Sequence, residues 1–233
     1  MDSARIKDYT IYFENSKEFH ILKREIFGEH CYYTEFDKAD PYIIDAGAHI
    51  GLASLYFKML SPKARILAIE PNPEVIKILR KNLFENLVEG VEVEEVALGV
   101  SAGEESFYVD KSDDGWYSTG GFIEGAWNRS QYSRSFRVPT RPLVDYLDQE
   151  VDLLKMDIEG VEMKVLLAAG QKIRKVRRML MEFHGVGENS LPRIVEFLEE
   201  QGFSVEVSKA GVKVRRDKIE KVTGLALVEA NRE

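Results

Sequence analysis

Residues 151–170 read VDLLKMDIEGVEMKVLLAAG, an apolar strand pattern running into an apolar helix pattern, with Asp157, Glu159 and Glu162 at the turn between them. Carboxylates in such a turn can hold a cation, accept hydrogen bonds from a sugar, ligate a metal or take a proton. Asp157 and Glu159 share a face if the backbone stays extended. Glu162 falls in the first turn of the helix, where a negative charge offsets the helix dipole, and a structural role is expected for it. A second pair with the same i, i+2 spacing, Glu182 and His184, closes the apolar run VRRMLMEFH (176–184). By chemistry His184 is the first candidate for a general base, with Asp157 second. Asp157, Glu182 and His184 could also carry a divalent metal; no metal is assigned.

A second constellation lies upstream. IIDAGAHIG (43–51) places Asp45, Gly47 and Gly51 at the end of an apolar run, and ARILAIE (64–70) ends in Glu70. Position 49 is histidine, so the G-x-G-x-x-G dinucleotide fingerprint is missing. Glu70 lies 25 residues after Asp45, where an acidic strand end can hold a ribose diol. The pair indicates a cofactor bearing a nucleoside. A dinucleotide would bring its pyrophosphate against Asp45. S-adenosyl-L-methionine has no phosphate and carries a sulfonium and an ammonium group, which suit a pocket edged by Asp45, Glu70 and Asp157. No G-x-x-x-x-G-K-[ST] loop supports a kinase. Gly47 is expected to admit close backbone approach to the methionine part, and Ala97 to sit at the adenine edge. Asn72 is counted with the cofactor contacts, although capping the helix that starts at Pro73 is its simpler role.

The elements that must position these residues alternate. Strands are expected at 41–47, 64–70, 91–99, 151–157 and 176–184, with helices after most of them, and two further strands at 203–208 and 224–230. Strands apolar on both faces and separated by helices form a parallel sheet covered on both sides, with ligands beyond the carboxyl ends of the strands. Asp45, Glu70, Asp157 and Glu182 all fall at such ends. The alternation breaks at about 100–140, where two short strands, 105–110 and 135–140, flank a stretch rich in Gly, Ser and aromatics. Residues 110–135, with Trp116, Tyr117, Trp127 and Tyr132, are expected to contribute acceptor contacts.

The chain has 233 residues, 44% hydrophobic and 31% charged, as in a globular protein. No apolar run approaches the roughly 18–20 residues of a membrane span, and the first twenty residues lack the apolar core of a signal peptide. One cysteine, Cys31, rules out an internal disulfide framework, and a cytoplasmic location is expected. The net charge of −8 argues against nucleic acid, despite the basic runs KIRKVRR (172–178) and KVRRDK (213–218).

IIDAGAHIG, AIEPNP, VEEVALG, LLKMDIEGVEMKVL and MEFH, in this order and spacing over about residues 24–205, resemble the FkbM family of S-adenosylmethionine-dependent methyltransferases. D-x-E-G-x-E is the most specific of these segments, and His49 stands where that family usually has asparagine. The resemblance implies an α/β class I, Rossmann-like methyltransferase fold: a mostly parallel seven-stranded sheet, helices on both faces, and an antiparallel last strand. On that basis residues 1–40 would be a lead-in segment packing on the core, and 41–233 the methyltransferase domain with an insertion at about 100–140. It also implies methylation of a hydroxyl on a small molecule or sugar, with Asp157, Glu159, Glu182 and His184 around the acceptor. Asp45, Gly47, Gly51, Glu70, Asn72, Ala97 and Asp157 would line the cofactor. A homo-oligomer is compatible with this reading. The competing readings are an RNA methyltransferase and a cofactor-binding module without catalysis.

Overall fold

The computed structural model describes residues 1–110, 120–124 and 133–232. The chain opens with a hairpin of β1 (Asp2–Ile6) and β2 (Tyr9–Phe13), followed by α1 (Ser16–Lys23) and one π-helical turn at Arg24–Gly28. Next come β3 (Tyr42–Ala46), α2 (Leu52–Leu60), β4 (Arg65–Ile69), α3 (Pro73–Glu85) and β5 (Val91–Glu94). Then follow β6 (Ala97–Gly99), β7 (Gly103–Asp110), β8 (Ser133–Pro142), β9 (Val151–Met156) and α4 (Glu162–Ala169). The chain finishes with β10 (Val176–His184), α5 (Leu191–Glu200), β11 (Ser204–Lys209), β12 (Val212–Lys213) and β13 (Leu225–Asn231).

The central sheet has the order β12-β11-β13-β10-β9-β3-β4-β5. β5, β4, β3, β9 and β10 run parallel, and β13 is antiparallel to both of its long neighbours, β10 and β11. This is the expected seven-stranded sheet with one addition. Ala210 and Gly211 both take positive φ, 49° and 74°, and turn the chain back so that the two-residue β12 forms an eighth, edge strand. Alternate side chains of β3 enter opposite cores: Ile43 packs with α2, α3 and the N-terminal segment, whereas Ile44 and Ala46 pack with α4 and α5. Both faces are therefore dry, as a parallel sheet requires.

Two expectations about the strands change. The run 91–99 is broken after Glu94, because β4 ends there: Glu70 N–H donates to the Glu94 carbonyl and the partner strand then turns toward α3. β6 leaves the central sheet and pairs in parallel with β8. The two short strands of the insertion are longer than expected, pairing antiparallel from Gly103 opposite Thr140 to Asp110 opposite Ser133. With β6 they make a separate three-stranded sheet.

The N-terminal residues Ile11, Phe13, Phe19, Ile26 and Tyr32 belong to the core on the α2/α3 side. The outer edge of β2 is held by α3. Asn86 accepts from Thr10 N–H at 2.7 Å and donates to its carbonyl at 2.8 Å. Asn82, one turn earlier, does the same for Tyr12 at 2.7 and 3.1 Å. No helix among the described residues is long and apolar enough to cross a membrane.

Candidate active site

β3 and β9 are neighbours in register, with Asp45 opposite Lys155. Lys155 is the one cation of β9, 2% exposed, and its ammonium is surrounded by acceptors. It donates to the Gly47 carbonyl at 2.7 Å and sits 3.4 Å from Asp45 Oδ1 and 3.7 Å from Asp157 Oδ2. Burial works against its charge, but Asp45, Asp157 and Glu182 outweigh it, so its pKa is held above the ordinary lysine value. Asp45, with no exposed surface, also accepts from Ser54 Oγ at 2.7 Å. The turn that follows presses against the end of β9. Gly47 has φ +76°, and a Cβ there would lie 1.8 Å from the Asp157 carbonyl oxygen. Gly47 is thus required for the approach of two chain segments. Gly51, φ +89°, makes room for Leu79 of α3.

Beyond these strand ends opens a cleft of about 560 Å³, counted with its open mouth. Its polar wall is Gly47, His49, Glu70, Asp157 and Glu159; its apolar wall is Ile69, Val96, Ala97, Leu98, Phe107 and Phe122. Phe107 and Phe122 meet edge to face at 5.9 Å between centroids. Glu70 receives His49 N–H on one oxygen and Asn72 N–H on the other, both at 2.9 Å. Burial pushes its pKa up to about 7 against the pull of these two donors. A carboxylate so held is oriented and still has lone pairs for a diol. His49 takes a positive φ of 49°, a region asparagine tolerates better than histidine. Its ring lies 3.7 Å from Glu18, and burial lowers its pKa, with Glu18 acting in the opposite direction.

On the far side of Asp157 the second constellation comes together. Met156 is level with Met181 in the parallel β9–β10 pair, so Asp157 and Glu182 follow on adjacent strands. His184 Nδ1 is 2.7 Å from Glu162 Oε1, and its Nε2 is 3.6 Å from both Asp157 Oδ1 and Glu159 Oε2. Glu162 is fully buried and held in turn by Gly160 N–H at 3.0 Å and by the Asn189 amide. Burial would lower the His184 pKa, but Glu162, Glu159 and Asp157 push it up to about 10. The Tyr32 hydroxyl donates to Glu182, whose pKa rises to about 7 through burial and the charge of Asp157. Burial, then Asp157, raises Glu159 well above the carboxylate range. Glu182 also lines a second, broader cleft with Glu25, Glu29, Cys31 and Leu227. The cluster therefore stands in the wall between two cavities.

A match to the methyltransferase FkbM domain covers residues 45–205. The chain belongs to the FkbM methyltransferase family. The methyltransferase sdnD of Sordaria araneosa is 31% identical over 231 residues, spanning 87% of this chain and 89% of that one. The 2-O-methyltransferase NoeI of Sinorhizobium fredii is 26% identical over 159 residues, 63% and 65% of the two chains. Among solved structures, an FkbM methyltransferase from Methylobacillus flagellatus shares the fold with a TM-score of 0.55 at 15% identity, over 82% of this chain and 44% of that one. As an FkbM enzyme the chain is an S-adenosylmethionine-dependent methyltransferase.

The FkbM fold thus brings Asp157, Glu159, Glu182 and His184 together, and Gly47, Glu70, Ala97 and Asp157 line the first cleft. Three residues expected at the cofactor do not line that cleft. Asp45 is sealed behind the wall by Ser54 and Lys155, Gly51 packs on α3, and Asn72 caps α3 by accepting from Glu74 N–H at 3.0 Å. Glu162 has the structural role expected of it, but through His184 and Gly160 as well as through its helix. Lys155, Tyr32 and Asn189 were not anticipated. A single lysine inside LLKMD was the available signal, since an unpaired lysine is rarely buried. Trp116, Tyr117, Trp127 and Tyr132 lie outside the described residues.

Proposed function

We propose that this FkbM enzyme methylates a hydroxyl group of a small molecule or sugar. The observation that carries the reading is the placement of Asp157, Glu159, Glu182 and His184 between two clefts, one fit for a nucleoside and one open to an acceptor. The cofactor supplies, when bound, an electrophilic methyl group on a sulfonium that leaves as a neutral thioether. Glu70 would hold the ribose diol, Ala97, Leu98, Phe107 and Phe122 the base, and Asp157 the cationic end. The carboxylates on the acceptor side orient the hydroxyl, and one of them takes its proton as the new O–CH₃ bond forms. His184 is less suited to that step than its residue type suggests: Nδ1 is committed to Glu162 and Nε2 faces two carboxylates. Its contribution is to hold them in place. Alignment of this kind can supply about 7–11 kcal/mol of a barrier, and a positioned base roughly a further 10²–10⁴-fold.

The name of the relative NoeI, a 2-O-methyltransferase, supports oxygen as the acceptor atom. An RNA acceptor finds less support. The run 172–178 lies at the opposite end of β10, with Arg178 roughly 20 Å from His184 along the strand. Arg177 and Arg178 are paired with Asp37, and Lys172 with Asp148. The test is transfer of a labelled methyl group into low-mass extracts and total RNA in parallel. Label in an alkali-stable, low-mass ether is expected. Label confined to RNA, or tight cofactor binding with no acceptor labelled, would overturn the proposal.

A further inference from the structure

We propose that Asp157, Glu182 and His184 form a binding site for a divalent cation of the Mn²⁺ or Zn²⁺ kind, set in the wall between the two clefts. One ligand atom from each of the three residues lies within 4.8 Å of the others. The contacts of His184 Nε2 with Asp157 Oδ1 and Glu159 Oε2, at 3.6 Å each, are too long for hydrogen bonds. The Asp157 contact suits two ligands of one ion: donors each about 2.1 Å from a metal stand roughly 3.0–3.6 Å apart.

Two independent features point to a ligand rather than to a solvated acidic patch. Histidines that bind metals donate their second ring N–H to a carboxylate or carbonyl, which fixes the ring and directs the other nitrogen to the ion. Here that supporting carboxylate is Glu162, 2.7 Å from Nδ1 and itself fixed by Gly160 and Asn189. His184 is 4% exposed, so the ring is a built part of the interior with Nε2 toward the cluster. The second feature is Asp157 Oδ1, which is closed off from solvent and has no hydrogen-bond partner among the described residues. All three residues stand at the ends of two adjacent strands, β9 and β10, which gives a rigid base for a ligand set.

One imidazole and two carboxylates make a mixed nitrogen–oxygen site with open positions, the pattern of first-row divalent ions rather than of calcium. An ion there takes the place of the proton on Nε2, which passes to solvent. Given the hydroxyl methylation proposed above, on which this role rests, the open positions would face the acceptor oxygen. The ion would lower that hydroxyl's pKa, easing transfer of its proton to Glu159, the carboxylate outside the ligand set, as the O–CH₃ bond forms and the S–CH₃ bond breaks.

The full chain, stripped with chelator, is titrated with Mn²⁺ and followed by electron paramagnetic resonance, with Zn²⁺ binding measured by calorimetry. We expect one Mn²⁺ per chain, with nitrogen coupling from a single imidazole in the pulsed spectrum. His184→Ala should remove the coupling and weaken binding at least tenfold. Glu199→Gln, on α5 and paired with Arg216, should leave both unchanged. The site is overturned if neither ion binds saturably, if bound Mn²⁺ shows no nitrogen coupling, or if the coupling survives His184→Ala. Should the variant fail to fold, the spectrum of the unaltered protein decides alone. Full methyl transfer after exhaustive chelation, with no Mn²⁺ bound, removes the metal and leaves hydroxyl methylation standing. Stoichiometric Mn²⁺ with no acceptor labelled does the reverse.

Discussion

Asp45 and Asp157 lie near the carboxyl ends of neighbouring parallel strands and share one lysine, yet one is sealed and the other is open. Asp45 has no exposed surface, and Ser54 and Lys155 engage its carboxylate. Asp157 shares Lys155 only at 3.7 Å, keeps 26% of its side chain exposed and lines the first cleft. The first aspartate is spent on holding two strand ends together. The second is held in position by that arrangement and remains available to a ligand. Identical residue types two register positions apart thus divide into support and an open carboxylate, and the shared cation is what links them.

The largest effect is expected at the shared cation. Lys155→Met keeps the volume and leaves Asp45 buried without its partner, so unfolding free energy should fall by about 3–5 kcal/mol. Urea denaturation checks this; a loss under about 1 kcal/mol would mean the pair is not the support described. Asp157→Asn should behave in the contrasting way. Stability should change by less than about 1 kcal/mol while turnover falls roughly 10²-fold, read by denaturation and by label transfer on one preparation. If stability falls as far as in Lys155→Met, the division between the two aspartates is wrong.

A third, smaller effect concerns pH. The folded value of Glu70, about 7, lies above its ordinary carboxylate value. Its contribution to folding is therefore fully present below the unfolded value and is lost as pH rises toward 7. The ionised form needed to accept from a ribose diol appears over the same rise. Affinity for S-adenosylhomocysteine should increase up to about tenfold between pH 6 and 8, and calorimetry on Glu70→Gln should show a flatter profile. A parallel profile in the variant would assign the dependence to another group. The smallest effect is expected at His49. Relief of its left-handed backbone by His49→Asn should raise stability by about 0.5–1 kcal/mol, visible as a higher Tm.

The central sheet was legible because each of its strands is apolar on both faces and closes before a helix signal. Ile43 and Ile44 need opposite cores, and the pattern says so without coordinates. The end-of-strand carboxylates were legible for the same reason, since a parallel sheet gathers its carboxyl ends. What each carboxylate touches was not legible. Asp45 meets Lys155 only because β3 lies beside β9, more than a hundred residues away, and periodicity carries no information on strand order. The hidden break in 91–99 has a similar cause: the residues of β6 are as strand-like as those of β5, and only the end of β4 decides where the central sheet stops. His184 shows the limit most clearly. Its residue type suggests a base, whereas three surrounding carboxylates, one of them Glu162 from α4, favour its charged form.

The two asparagines of α3 have a consequence for association. An exposed strand edge is a template for pairing with another chain, and a two-stranded hairpin has little else to protect it. Asn82 and Asn86, one helical turn apart, occupy both the donors and the acceptors that Thr10 and Tyr12 present outward. A third strand arriving at β2 would have to displace four satisfied hydrogen bonds. Replacing both asparagines with leucine would preserve bulk on that helix face and reopen the edge, so concentration-dependent aggregation should begin at residues 9–13 rather than at the catalytic end of the sheet.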